Sequence, residues 1–336
     1  VKFGPVPVAE AEGAIVAHTI RKGVLVLKKG QAVTRDHQAA LAAAGVAEII
    51  VAQLEPGDVG EDVAARRLAE RLAGAHMRLE RAFTGRVNLF AETAGLLVVD
   101  APAIDRLNSV DEAITVATLP RYRAVAPNDM AATVKIIPFA ASRVALEGAL
   151  ASAGQGAVAV APFRPLRVGV VSTLLPGLKP SVVAKTLRIL EERLAPAGAH
   201  ILREERASHE AAALAQALER VAPESDILIV FGASAITDRR DVIPQAIEDC
   251  GGRIDHFGMP VDPGNLLLLG ELAGRPIIGA PGCARSPKEN GFDWVLQRLL
   301  AGVPIGPKEI KAMGVGGLLM EIVQRPQPRL GESGGS

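Results

Sequence analysis

From Arg167 onward the chain switches repeatedly between two hydrophobic periods. Compact apolar runs at Val168–Ser172 and Asp226–Phe231 read as buried strands. Apolar positions three and four apart predict helices over Ser181–Leu194, Glu210–Val221, Asp241–Asp249 and Glu289–Leu300. Shorter extended runs are expected at His200–Leu202, Arg253–His256, Leu266–Leu269 and Pro276–Ile278. Strands alternating with helices at this spacing predict an α/β domain, its mostly parallel sheet covered on both faces in three layers. Such sheets take ligands beyond the carboxyl ends of their strands.

The first half is less regular and predicts a smaller, composite α/β domain. Short apolar runs at 14–17 and 24–27 are punctuated by Gly13, Gly23 and Gly30. Thr34 suits the N-cap of a helix that Gly45 stops, and Glu48–Leu54 then reads as a strand. Val63, Leu68 and Leu72 give Glu61–Ala73 a helical stripe; Leu96–Val99 and Val134–Ile137 read as extended, and Asp111–Ala113 as the opening of a short helical stretch. Pro162-Phe163-Arg164-Pro165 is a stiff connector. The expected division is 1–165, 166–305, and a C-terminal extension with a flexible tail over 306–336.

Composition narrows the class. The 336 residues are 49% hydrophobic but only 3% aromatic, so the core must be aliphatic. Lys+Arg and Asp+Glu both number 37, which gives no bulk basic field for nucleic acid. No apolar stretch approaches the roughly 20 residues that cross a bilayer, and the opening residues lack signal-peptide form. A cytoplasmic protein is expected. Cys250 and Cys283 make neither a disulfide framework nor a zinc motif. Neither GxGxxG nor GxxxxGK[ST] occurs where a nucleotide fold needs it. The six histidines show no tight ligand spacing, although His256 follows a strand near the expected site.

What the strand ends carry suits an anion. The first loop offers Thr173, Lys179 and Ser181 ahead of a helix N-terminus, where hydroxyls, an ammonium and free N–H groups can converge. In the second, Gly232 allows close backbone approach, Ser234 and Thr237 offer hydroxyls, and Arg239 and Arg240 offer planar forks for phosphate. Asp238 and Asp241 either cap the next helix or organise a ligand. The last loops set rigid Pro263 and Pro281 beside Gly264, Asn265, Gly282 and Cys283, able to present N–H groups to a ring or phosphate. Cys283 reads as loop filler before nucleophile, since no histidine follows it. In the first half, Arg86 and Asn88 either face a ligand or serve local structure, and Lys135 reads as a snorkelling surface residue.

Residues 167–302 resemble the molybdopterin-binding domain shared by molybdopterin adenylyltransferases and molybdenum insertases. Thr237-Asp238-Arg239-Arg240-Asp241-Val242-Ile243-Pro244-Gln245-Ala246 looks like the adenylyltransferase segment in which Arg-Asp-Val precedes a Pro and an Ala. Met259, Pro263 and Gly264, then Gly279-Ala280-Pro281-Gly282, are similar to the late loops of the insertase. The chain as a whole resembles the molybdopterin-binding section of bacterial proteins fused to a molybdenum cofactor cytidylyltransferase.

The resemblance implies a fold of the molybdopterin-binding type. It also implies a role in cofactor biosynthesis or delivery, with molybdopterin or molybdenum cofactor held at the three loop regions. The implied partners are a cytidylyltransferase or a molybdoenzyme, and a homodimer. Where the family has a double glycine, this chain has Gly232-Ala233-Ser234-Ala235, and the insertase's acidic element has no counterpart in Thr173-Leu174-Leu175-Pro176. Pterin binding and presentation is therefore the leading expectation. Two alternatives stand beside it: an active transferase using Asp241 with magnesium and a nucleotide, and a partner protein that has lost the pterin.

Overall fold

The structure, a computed structural model, describes residues 1–319. The flexible tail expected from the sequence falls mostly beyond Leu319, outside the described residues. The chain divides into two compact units between Pro162 and Phe163.

In the first unit, strands Lys2–Pro7, Glu48–Gln53 and Ile15–Val16 form a small antiparallel sheet. It packs with helix Arg35–Ala43 around Leu27, Leu41 and Val51. Thr34 caps that helix in a reciprocal box with His37. A second antiparallel sheet joins Ile114–Thr118, Met130–Ile136, Arg86–Ala91 and Met77–Leu79. Helices Glu61–Leu72, Ala101–Asn108 and Arg143–Ser152 share a core with it that includes Leu68, Leu89, Leu107, Ile136 and Leu146.

The helical stretch expected after Asp111 is instead a turn into a strand. The Asp111 carboxylate accepts the Ala113 N–H at 2.8 Å, and Ile114 and Val116 then alternate inward. Asn108 fixes this course by bonding both the N–H and the carbonyl of Val116. Asn88 donates to Glu80 and accepts from the Thr133 hydroxyl, both at 2.8 Å. Lys135 donates to the Thr84 carbonyl and lies 3.7 Å from Glu61. These side chains form a polar ladder across neighbouring strands, which is the local reading of that segment.

Among the described residues, the second unit holds one six-stranded sheet. Its elements are β1 (Arg167–Leu174), α1 (Pro180–Leu194), β2 (His200–Ser208), α2 (Ala211–Val221), β3 (Ile227–Phe231), α3 (Val242–Asp249), β4 (Arg253–Phe257), β5 (Leu268–Leu272), β6 (Arg275–Ala280), α4 (Gly291–Ala301) and α5 (Pro307–Lys311). The sheet order is β2-β1-β3-β6-β5-β4. The pairs β1–β2, β1–β3 and β3–β6 are parallel, while β5 runs antiparallel to both its neighbours. The carboxyl ends of β1, β2, β3, β6 and β4 therefore lie along one edge.

Alternation along β1 sorts the faces. Val168 and Val170 join Leu190 of α1 and Phe292 and Leu296 of α4 in one core. Val171 joins Leu214 and Leu218 of α2 and Ile243 and Ile247 of α3 in another. The loop after β1 thus leads to one face of the sheet, and the loop after β3 to the opposite face. The crevice between those loops is the topological switch point, where doubly wound sheets bind ligands.

Two local features set this edge. Pro180 opens α1 at a position that has no need of its missing N–H. β2 continues six residues beyond the predicted Leu202, through the charged run Arg203–Arg206. Among the described residues this edge strand pairs only with β1, so polar side chains can face solvent while the backbone stays paired.

Candidate functional site

The last turns of the parallel strands are tied together by side chains. Thr173, near the end of β1 and 1% exposed, accepts the Ala233 N–H through Oγ1 at 2.8 Å. The same oxygen lies 2.8 Å from Nδ1 of His209, just past β2. His209 Nε2 lies 2.9 Å from Ser234 Oγ in the loop after β3. One imidazole thereby bridges two hydroxyls and links three strand ends. Replacing Thr173 with Val keeps the shape but strands a backbone N–H and a ring nitrogen. The expected cost is about 1–3 kcal/mol, read from the urea midpoint of the second unit; an unchanged midpoint contradicts the linkage.

Arg285 approaches from the loop after β6. Its guanidinium donates 2.9 Å bonds to the Gly232 carbonyl and to Thr186 Oγ1 on α1, and lies 5.4 Å from the Phe231 ring centroid. No ion pair to a carboxylate is formed by Arg285 among the described residues. Burial draws its pKa below the ordinary arginine value.

Arg193 on α1 holds the same loop more firmly. It donates to the carbonyls of Ala284 (2.8 Å) and Ser286 (2.6 Å) and pairs with Asp293 at 2.5 Å. Asp293 in turn accepts the Asn290 N–H, closing the capping box of α4.

The remaining sequence candidates fall into distinct settings. Asp241 caps α3: its two carboxylate oxygens accept the N–H groups of Val242 at 2.8 Å and Thr237 at 3.1 Å. Asp238 pairs with Arg240 at 2.8 Å, and both are well exposed. Arg239, Lys179 and Ser181 are also exposed. Pro263 accepts the Gly291 N–H at 2.8 Å, and buried Gly264 packs against Gly291, which places that loop beside the start of α4. Asn265 is exposed, although its carbonyl accepts the Met259 N–H.

Pro281 is buried and Gly282 exposed, with open space where a side chain would stand. The carbonyl of Cys283 accepts from Asn290, and burial pushes its thiol pKa up, away from a ready nucleophile. Thr173 and Ser234 thus share one network through His209, and the Gly232 carbonyl is held by Arg285, whereas Lys179, Arg239 and Arg240 stand exposed in the loops after β1 and β3. Among the described residues no three His, Cys, Asp or Glu side chains gather to hold a metal ion.

Two functional candidates, His209 and Arg285, were not singled out by sequence reading. A strand over His200–Leu202 leaves His209 seven residues past its end, whereas the observed β2 ends at Ser208, directly before His209. Nothing in the sequence marks Arg285, because the ring and the hydroxyl it meets come from Phe231 and Thr186, far away along the chain.

His256 on β4 titrates below the ordinary histidine value, first through burial and then through Lys311 and Arg239. A base with a depressed pKa contributes stability above its unfolded pKa and loses it as pH falls through the folded value. The second unit should therefore weaken on acidification below about pH 6.5, and His256→Gln should flatten that slope. An imidazole midpoint at or above the ordinary value by NMR would contradict this.

A cavity of about 680 Å³ opens at the opposite edge of the sheet, lined by Arg164, Asp226, Arg275 and Gly302 among others. Its arginines cap backbone carbonyls, Arg164 that of Leu299 and Arg275 those of Ser225 and Pro223. They are accounted for by structure. No helix among the described residues is long and apolar enough to cross a membrane.

A family model described as a domain of unknown function (DUF8806) matches residues 5–53, the first small sheet and its helix. No curated protein matches the chain. Among solved structures, a molybdenum cofactor biosynthesis protein from Pyrococcus furiosus is 11% identical, with a TM-score of 0.27 over 90% of this chain. The chain spans 64% of that protein's length. The molybdopterin biosynthesis protein MoeA of Pyrococcus horikosii is 14% identical, covering 90% of this chain and 76% of its own, with a TM-score of 0.31. The tungsten cofactor synthesizing protein MoaB of Pyrococcus furiosus is 16% identical, covering 39% of this chain and 89% of its own, with a TM-score of 0.28. The likeness is to molybdenum- and tungsten-cofactor biosynthesis proteins, at low identity and partial coverage.

Proposed function

We propose that the second unit binds molybdopterin or the molybdenum cofactor at the switch-point crevice. It would present the pterin phosphate for nucleotide transfer or for loading into an enzyme. The observation that carries this reading is the Thr173–His209–Ser234 bridge, which joins three strand ends into one preorganised rim. The order of Thr237–Ala246 and of the later Pro-Gly loops along this edge supports it, as does the resemblance of those segments to molybdopterin-binding domains. Lys179, Arg239 and Arg240 stand exposed in the loops after β1 and β3, where they offer positive charge to an incoming anion.

Binding and presentation is favoured over transfer because Asp241 already serves two backbone N–H groups. A magnesium ion there would be held by Asp241 together with the phosphates of a ligand. The partners we propose are a cytidylyltransferase or a molybdoenzyme, both of which handle the same cofactor.

The test is a titration of purified protein with molybdopterin followed by absorbance. Saturable binding of one equivalent is expected, and His209→Ala should weaken it roughly tenfold by freeing both hydroxyls. A folded protein that takes up none overturns the reading. Consumption of nucleotide in the same mixture would favour the transferase.

A further inference from the structure

We propose that Arg285 and Ser172 form a buried oxyanion subsite beneath the crevice, built to take the phosphate group of the ligand. This rests on the crevice proposed above and deepens it by naming the charge that does the holding.

Two independent observations meet here. The first is Arg285 itself, which brings a full positive charge inward without a paired carboxylate among the described residues. Its two short bonds go to Thr186 and Gly232, whereas a guanidinium has five N–H donors. A partly buried cation left in this state is costly unless an anion completes it. The guanidinium carbon lies 5.4 Å from the centroid of the Phe231 ring, and the bonds to Thr186 and Gly232 limit its rotamers, so its remaining donors are held in place.

The second observation is Ser172, 2% exposed, whose hydroxyl has no hydrogen-bond partner. Buried hydroxyls are almost always bonded, so an orphan at a strand end points to an absent partner. Ser172 follows Val168 and Val170 on the face covered by α1 and α4, and its register partner on β3 is Phe231, the ring beneath Arg285. Both features therefore lie in one layer, next to the first turns of α1. That helix is 15 residues long and receives no side-chain cap at its N-terminus.

A tetrahedral dianion matches the chemistry of this set. It can accept from the guanidinium fork, from the Ser172 hydroxyl and from helix N–H groups, all donors and no competing carboxylate. The exposed Arg240 is already turned to Asp238 and plays the outer part.

The probe is inorganic phosphate at constant ionic strength, followed by NMR and by thermal shift. Wild type should show saturable protection, with the Arg285 Nε–H resonance moving. Arg285→Met keeps the bulk over Phe231 and should bind phosphate roughly tenfold or more weakly; Ser172→Ala should lose several-fold; Arg188→Gln, which removes an exposed cation of α1 paired with Glu192, should match wild type. Equal phosphate affinity in Arg285→Met and wild type overturns the subsite. Should Arg285→Met fail to fold, the wild-type resonance decides, and a stationary Nε–H at saturation overturns it. Arg285→Met that binds molybdopterin as tightly as wild type also removes the subsite and leaves the pterin reading standing. Phosphate held through Arg285 by a protein indifferent to molybdopterin does the reverse.

Discussion

Arg193→Met should destabilise the second unit by about 3–5 kcal/mol, the usual cost of removing one partner from a buried ion pair. Both side chains of the Arg193–Asp293 pair are only 10% exposed, so the stranded carboxylate gains little from water. The same guanidinium also serves the carbonyls of Ala284 and Ser286, which lose their donors together with the charge. Because Asp293 closes the capping box of α4, the loss propagates into that helix start. A urea titration followed by the fluorescence of Trp294, which sits on α4, reads the effect directly. A fall in the midpoint with unchanged slope is the expected form. A shift worth less than about 1 kcal/mol would mean that the loop after β6 is held by something else, since that is the size of an exposed pair.

Gly264→Ala is the second large effect. The residue sits at φ +144°, a conformation open in practice to glycine, and a Cβ there would stand 2.7 Å from the backbone of Gly291. Neither obstacle is a flexible side chain, so the loop must move away from α4 or the backbone must remain strained. Strain of about 1–3 kcal/mol adds to overpacking of about 1–3 kcal/mol. The Pro263 carbonyl would also lose the Gly291 N–H that now docks the loop. Hydrogen exchange at Gly291 should rise steeply in the variant, whereas Gly282→Ala, where no atom stands within 4 Å, should leave it unchanged. Equal behaviour of the two variants would contradict the packing described.

Much of the second unit was readable because its strands and helices differ in period. Val168, Val170 and Val171 mark β1, and the 3.6 spacing of Leu214, Leu218 and Val221 marks α2. The sheet order and the antiparallel pair β4–β5 were not readable, because pairing partners lie far apart in sequence and short apolar runs look alike. The edge strand was read six residues short because Arg203–Arg206 is charged, and only its place at the edge makes that tolerable. That single truncation hid His209. In the first unit, Asp111–Ala113 reads as a helix opening; whether such a turn leads into helix or strand depends on where Ile114 and Val116 find a core, which is tertiary. Burial of Arg285 and orphaning of Ser172 are tertiary in the same sense.

The most direct measurement is an amide chemical-shift map of the protein titrated with molybdopterin. Shifts concentrated at 172–181, 209, 232–241 and 282–286, with the cavity residues Arg164 and Arg275 silent, are what a crevice at the carboxyl edge predicts. Shifts gathered around Arg164 and Arg275 instead, or none at saturating pterin, would contradict it.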